Sequence, residues 1–349
     1  MKSIRRTHLP GIAWLLALAL VAASCGDDSV SDATTTTVGT VAATTTSQPS
    51  GPVELTIGTG FNGVQYADIY VAIEEGFFAE ENLDVDFLAS NTPTGTAILS
   101  GETQINSGQP ATTYIPNAQG ADLVAIYSPS ATFETWVAKD PISSVADLAG
   151  TTMGVFNLQD LDVIYTQWMF EQNGLSIDDI DLVASGGTGD KFAAVLANAV
   201  DSAPLYAPAN FLADDEGLNL IFDTRDLDVG QVPTFYVVRA SWAEENRETT
   251  IGFIRALNKA HEFLFDSANK PAAVQHMAKY TGVEVPLVEL AYDLYFTNPG
   301  ELYSLSGEWD RGIVELMADK LFEIGLLDEP PIPYESTVAE EYREAALGG

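Results

Sequence analysis

The chain has 349 residues, 46% of them hydrophobic, with 15 Lys and Arg against 50 Asp and Glu and a net charge of −35. The length leaves room for two domains of ordinary size. The charge repels phosphate backbones and anionic headgroups, which excludes nucleic-acid binding and argues against adsorption of the folded body to a membrane.

Lys2, Arg5 and Arg6 precede an apolar run over about residues 12–21, followed by small residues. That run falls short of the roughly 20 residues a membrane span needs, so residues 1–24 read as an export signal. Cutting there leaves 12 basic residues against 50 acidic ones. Cys25 is the only cysteine, which rules out an intrachain disulfide. Ala22-Ala23-Ser24-Cys25 resembles the bacterial lipoprotein lipobox, with Ala22 where Leu is usual. The resemblance implies that Cys25 carries a diacylglycerol and becomes the new N-terminus; the bland reading is an ordinary signal with a chance cysteine. Arg5-Arg6 has flanks that fit twin-arginine export poorly. Residues 25–52 are rich in Thr, Ser and Ala and hold no aromatic side chain. They cannot offset the entropy of ordering and read as a flexible tether.

From Val53 short apolar runs alternate with amphipathic segments. Val53–Gly58 reads as a strand. Ile69, Ala72, Ile73 and Phe77 recur at helical spacing with Gly76 as a stop. Asp84–Leu88 is a strand, Thr96–Ser100 a short helix closed by Gly101, Gln104–Asn106 a strand, Thr112–Gln119 a helix and Leu123–Tyr127 a strand. This rhythm predicts a parallel or mixed sheet with helices on both faces. Trp136–Ala138 leaves the first unit. A one-turn helix capped by Ser143 or Ser144 ends at Gly150, and a strand follows over Thr152–Phe156. Leu161–Gln172 is a helix ended by Asn173-Gly174, Asp181–Ala184 a strand, and Asp190–Asn198 a helix. Ala203–Tyr206 and Leu220–Phe222 are further strands, and Phe235–Arg239 is the strand that returns to the first unit. The last third is helical: Thr249–Phe265 carries Ile251, Ile254, Leu257 and Leu264 on one stripe, Trp309–Ile324 is amphipathic, and Pro271 and Pro286 suit first turns.

Four segments carry a family resemblance. They are Ala72–Phe87 (a helix, then G-F-F, an acidic turn and L-D-V), Ile98–Ile105 (I-L-S-G-E-T-Q-I), Ser143–Val155 (with D-L-A-G-T-T-M-G-V) and Phe192–Ala203 (with the V-D-S-A end). Running in order over about residues 53–265, they resemble type II periplasmic binding proteins. The branch is the one that serves nitrate, sulfonate, taurine and thiamine-pyrimidine-precursor uptake. The resemblance implies an α/β fold of two lobes, a cleft between them and two hinge crossovers near Thr135–Ala138 and Val232–Tyr236. Lobe one would be 53–134 with 237–349, and lobe two 135–236. It implies further that the chain is an extracytoplasmic monomer held to the membrane by its lipid alone, and that it hands a small molecule to an ABC permease and its ATPase. No cofactor is expected.

Ligands of open α/β sheets bind beyond the carboxyl ends of strands. The candidate ligand residues are therefore Phe61, Asn62 and Gln65; Ser107, Gln109 and Thr112; Phe156, Asn157, Gln159 and Asp160; Thr188, after Gly186-Gly187; and Tyr206. Amides, hydroxyls and aromatic faces of this kind orient small polar ligands; each residue equally suits a loop or cap. Trp136 is a further candidate stacking face. Asp160 and Asp162 sit where helix capping is the bland role. If either faces the cleft, a neutral or cationic ligand such as a nitrogen heterocycle is favoured over an anion. No catalytic residue or metal site is expected: His261 and His276 show no partner grouping in the sequence, and no zinc cluster, nucleophile elbow, calcium loop or phosphate loop is present. A ligand-sensing receptor, or an enzyme of the menaquinone or pyrimidine-synthase type on the same fold, are the competing readings.

Overall fold

A computed structural model describes residues 51–90, 92–158 and 161–348. The export signal, Cys25 and the tether as far as residue 50 lie outside the described residues, as do Gln159 and Asp160.

The strands are β1 (Val53–Thr59), β2 (Leu83–Ala89), β3 (Ile105–Gly108), β4 (Leu123–Tyr127), β5 (Thr135–Ala138), β6 (Thr152–Val155), β7 (Asp181–Ala184), β8 (Ser202–Leu205), β9 (Asn219–Asp223) and β10 (Phe235–Arg239). They form two five-stranded sheets, ordered β2-β1-β3-β10-β4 and β7-β6-β8-β5-β9. In the first, β1 runs parallel to β2 and β3, while β10 is antiparallel to β3 and β4. In the second, β6 is parallel to β7 and β8, while β5 is antiparallel to β8 and β9. The chain passes from one sheet to the other twice, between Tyr127 and Thr135 and between Asp223 and Phe235. Each antiparallel strand is the first one laid down after a crossing.

The two-residue period of strands decides what each face buries. Val124 and Ile126 of β4 and Tyr236 and Val238 of β10 join one core with the helices Ala67–Glu74 and Arg247–Phe265. Their neighbours Leu123, Ala125, Phe235 and Val237 face the opposite way, into a second core with Tyr114, Val314 and Met317. That second core also takes Trp136, Tyr165 and Trp168, so it runs on into the second sheet. A small third cluster packs Val137, Val195 and Leu205. Helix Leu161–Gln172 buries Leu161, Ile164, Tyr165, Trp168 and Met169, the spacing of a core-facing stripe. After helix Ala67–Glu74, Gly76 takes the left-handed conformation (φ +78°) that lets the chain turn. The helices Lys270–Thr281, Val285–Phe296, Arg311–Glu323 and Glu340–Leu347 follow; Thr337 and Ala339 bond the two backbone groups of Ala125.

Some boundaries move. The helix expected from Thr112 begins at Pro110, which has no N–H to offer and fits a first turn. The helix expected from Asp190 begins at Thr188, directly after Gly187. Helix Ala209–Asp215 was not anticipated.

Candidate functional site

The carboxyl ends of the parallel strands in the two sheets meet. Phe61, two residues past β1, places its ring 5.9 Å from Tyr66 and 5.8 Å from Tyr206, the residue after β8 in the other sheet. Ala207 and Phe211 of that second segment also pack into the core that holds Val64 and Tyr66. Phe61 keeps 42% of its surface exposed. Gly63 admits the close approach here, since a Cβ on it would lie 2.2 Å from Gln65 Oε1 and 2.7 Å from the Phe61 ring. Gln65 is 7% exposed, and its Oε1 has no hydrogen-bond partner. The Tyr66 hydroxyl stands 3.4 Å from Ser107 Oγ, and burial pushes the phenol above its ordinary pKa, so it is a neutral hydroxyl.

At the matching end of the second sheet lies a buried ionic group. Asp162 Oδ2 accepts from Lys191 Nζ at 2.8 Å and from the Phe156 backbone N–H at 2.8 Å. Glu134 Oε1 is 3.5 Å from the same ammonium. The side chains of Lys191, Glu134 and Asp162 are 2%, 0% and 4% exposed. Burial above all raises the Tyr295 phenol above its ordinary pKa, and the Glu134 carboxylate adds to the rise. On the other side of β5, Asn210 donates to Thr135 Oγ1 at 3.3 Å and leaves Oδ1 buried without a partner.

The sequence-derived residues divide accordingly. Phe61 and Ser107 meet Tyr66, the chain neighbour of Gln65, and Tyr206 joins them through Phe61. Phe156 is 49% exposed beside Asp162, and Asn62, Asn157 and Thr188 stand at the surface or half-buried on the same loops. Thr112 accepts from the Gln109 N–H at 3.1 Å, so Thr112 and Gln109 fold the first turn of their helix. Trp136 is fully enclosed: its ring packs against Tyr165 and Phe222, and its Nε1 donates to Thr166 Oγ1 at 3.3 Å. It therefore presents no face on which a ligand could stack. Asp162 holds a lysine and the preceding loop instead of simply capping its helix. Sequence reasoning missed Glu134 and Lys191; the available signal was a lone lysine on an otherwise apolar helix face.

The expectation that the histidines lack partners is corrected. His261 Nδ1 donates to the Ser304 carbonyl at 2.9 Å, and its Nε2 lies 3.5 Å from Asp68 Oδ2. Asp68 accepts from Tyr236 at 2.9 Å and has the Tyr303 hydroxyl at 3.0 Å, which in turn is 2.7 Å from the Gln65 carbonyl. Both members of the His–Asp pair are 0% exposed. The group is shut off from solvent and ties the Gln65 turn to β10 and the C-terminal segment. His276 pairs with Glu75 at 2.7 Å at the surface. Two open grooves, of about 490 Å³ beside Arg239 and Trp242 and about 450 Å³ beside Lys139 and Pro141, include none of the side chains that meet at the strand ends.

Known proteins resemble this arrangement. A family model described as NMT1/THI5 like matches residues 64–272. The protein named "Putative binding protein YtlA" of Bacillus subtilis is 24% identical over 81% of this chain and 86% of its own length. The formylaminopyrimidine-binding protein of Halalkalibacterium halodurans is 26% identical over 58% of this chain and 63% of its own. Among solved structures, the aliphatic sulphonate-binding protein SsuA of Escherichia coli superposes with TM-score 0.67 at 20% identity, covering 83% of this chain and 93% of that one. The nitrate-binding protein NrtA of Synechocystis PCC 6803 gives 0.67 at 13% identity, over 85% and 89%. The desulfurization enzyme DSZB gives 0.62 at 16% identity, over 85% and 99%. These structural likenesses show the periplasmic-binding-protein fold.

Proposed function

The chain belongs to the NMT1/THI5-like family, and from that premise we propose that it is an extracytoplasmic solute-binding protein that delivers a small polar or heteroaromatic molecule to an ABC importer. The observation that carries the reading is the meeting of strand-end loops from two sheets, marked by the 5.8 Å contact of Phe61 with Tyr206. Loops at that position form a ligand cleft when the sheets belong to separate closing bodies. In this reading 53–134 with 237–349 is one lobe, 135–236 is the other, and the crossings near Thr135–Ala138 and Val232–Tyr236 are the hinges. Closure around ligand creates the surface that the permease and its ATPase engage. Cys25 carries the lipid, and residues 26–52 tether the body to the outer face of the cell membrane. The cargo classes are those of the relatives: a pyrimidine-precursor-like compound, a sulfonate or nitrate. The enclosure of the Asp68–His261 pair supports binding over catalysis, because the described residue pair best suited to acid–base work is shut off from solvent.

A thermal-shift screen of the full chain against these classes tests the reading. A ligand bound only by the folded state adds about 2.7 kcal/mol at about 100 times its dissociation constant. A shift with one class supports the reading; no shift with any class, in a chain that unfolds cooperatively, counts against it. Labelling with a fatty-acid analogue tests the anchor: the wild type takes label and Cys25→Ser does not.

A further inference from the structure

The two crossings between the sheets do not stand alone. Residues 302–307 lie along the first crossing: Ser130 pairs antiparallel with Tyr303, and backbone N–H groups donate from Ala131 to Leu302 (2.8 Å), from Ser304 to Pro129 (2.9 Å) and from Ser128 to Gly307 (3.0 Å). On its other edge the first crossing meets the second: Ala131 pairs with Pro233, Thr132 donates to the Val232 carbonyl at 2.9 Å, and Thr234 to the Ser130 carbonyl at 2.7 Å. The hinge is therefore a three-stranded ribbon with 302–304 as its third member. Together with the ion pairs below, the geometry points to a clasp: the segment from Glu301 to Glu323, rooted in the first proposed lobe, grips one corner of the second and holds the lobes closed. This rests on the two-lobe arrangement of the solute-binding reading above and adds a control on its closure.

The root is Tyr303. Its side chain is fully enclosed, its hydroxyl lies 2.7 Å from the Gln65 carbonyl and 3.0 Å from Asp68 Oδ1, and its ring stands 4.7 Å from Phe296. A ring held by packing and a hydroxyl held by hydrogen bonds fix the ribbon's third strand to the body that carries β1.

The corner is made by the end of helix Leu161–Gln172 and the turn after β9. Gln172 Nε2 donates to the Asp226 carbonyl at 2.9 Å, and its Oε1 accepts from the Asp228 N–H at 3.1 Å. Two ion pairs cross to it from the clasp. Glu301 Oε1 lies 3.5 Å from Arg225, which also pairs with Asp223 at 2.7 Å and sits 5.0 Å over the Phe133 ring of the first crossing. Lys320 Nζ, on helix Arg311–Glu323, lies 2.9 Å from Glu171 Oε1. Apolar packing accompanies the charges: Leu227 and Val232 share the second core with Val314 and Met317, and a Cβ on Gly230 would lie 2.9 Å from Ile313 Cδ1.

Both glutamates are nearly half-exposed, so either pair alone is weak. The two act on one equilibrium, however, and pairs made or lost in the same motion add in their effect on it. Both are made in the arrangement in which the strand-end loops touch at Phe61 and Tyr206.

The test measures lobe separation on the full chain without ligand. Leu99→Cys and Leu196→Cys, both at exposed positions, put one spin label on each proposed lobe, in a Cys25→Ser background that leaves no other thiol. Pulsed electron resonance then gives the distance distribution. The expected result is one dominant short distance in this parent. In Glu171→Lys/Glu301→Lys a longer distance gains weight relative to the short one by about 10-fold, two exposed pairs being turned from attraction to repulsion. Glu216→Lys/Glu289→Lys makes the same change of net charge at exposed glutamates on other elements and should keep the parent distribution. An unchanged distribution in the clasp variant overturns the proposal, and so does an equal shift in the control, which assigns the effect to net charge. Should the clasp variant fail to fold, Glu301→Gln alone, at a carboxylate 41% exposed, decides with a smaller rise of about 2- to 3-fold. No ligand enters the measurement, so a failed clasp leaves the solute-binding reading standing, and a silent thermal-shift screen leaves the clasp standing.

Discussion

Replacing Lys191 by Met keeps the aliphatic stem and removes the ammonium that lies 2.8 Å from Asp162 and 3.5 Å from Glu134. At an effective dielectric of about 20 the shorter pair corresponds to roughly 6 kcal/mol of gross attraction. Desolvation of the ammonium offsets much of that, but the variant does not recover the cost of the carboxylates it leaves behind. Breaking a buried pair from one side costs about 3–5 kcal/mol. For a body of this size each kcal/mol lowers the melting temperature by roughly 2 °C, so the expected fall is about 6–10 °C. Urea unfolding of wild type and Lys191→Met at pH 7, without ligand, measures the loss in kcal/mol, and thermal unfolding of the same pair measures the fall in melting temperature. The double variant Lys191→Met/Asp162→Asn should recover part of the loss, more than about 1 kcal/mol, because it removes one stranded charge while keeping the shape. A loss under about 1 kcal/mol in the single variant, or no recovery in the double, would refute the view that these groups form one buried ionic unit.

Three further outcomes follow from the packing and the charges. Trp136→Ala should cost about 3–5 kcal/mol in urea unfolding, because it empties a fully enclosed ring site and removes the indole donor to Thr166; a near-neutral result would mean that the ring is not core. Gly307→Ala combines a left-handed backbone (φ +75°) with a Cβ placed 2.0 Å from the Tyr127 ring. It should lose well over the roughly 1–2 kcal/mol that left-handed strain alone costs, whereas Gly76→Ala, at φ +78° in open space, should lose only that strain. Stability should also fall in acid. The Thr152 N–H, then Lys139, holds the Asp201 carboxyl below its ordinary pKa, and Lys279 does the same for Glu74. Each depressed carboxyl adds stability that is complete above its unfolded value near pH 4 and is lost as pH falls through the lower folded value. The gap between wild type and Asp201→Asn should therefore stay constant above about pH 5 and close below pH 4; a gap that widens in acid would contradict the sign.

Much of the fold was legible because the body is built from short, regular alternations. The helix Leu161–Gln172 and the strands at 123–127, 181–184 and 235–239 stand where periodicity put them. Reading Phe235–Arg239 as a return strand placed it in the first sheet, where it pairs antiparallel with β3 and β4. Periodicity failed at starts and at brief elements. Pro110 and Thr188 open helices whose first turns carry little apolar pattern, and Ala209–Asp215 spans seven residues that end in two aspartates, too few to show a stripe. How the last 80 or so residues return to β4 depends on backbone bonds such as Ala125 to Thr337, which no local pattern encodes.

The site was legible in its outline and not in its electrostatics, for a physical reason. Listing the residues after each strand finds Phe61, Gln65, Ser107 and Tyr206, because the carboxyl ends of parallel strands share one edge. The ionic group escapes that rule. Asp162 and Lys191 lie 29 residues apart, and Glu134 belongs to the crossing segment rather than to a strand end. A period tells which face a side chain takes, not whether that face is buried against charge; this is why Trp136 read as a stacking surface and proved to be core. The chain has 15 basic residues for 50 acidic ones, and most carboxylates can remain in water. Only a lysine with carboxylates close on it can be enclosed, and the two buried lysines among the described residues, Lys191 and Lys320, both have them, the latter with Glu171 at 2.9 Å. Lys320 meets a half-exposed partner. Lys191 meets two enclosed carboxylates, Asp162 at 2.8 Å and Glu134 at 3.5 Å, so its charge is answered inside the fold and the ammonium can be enclosed.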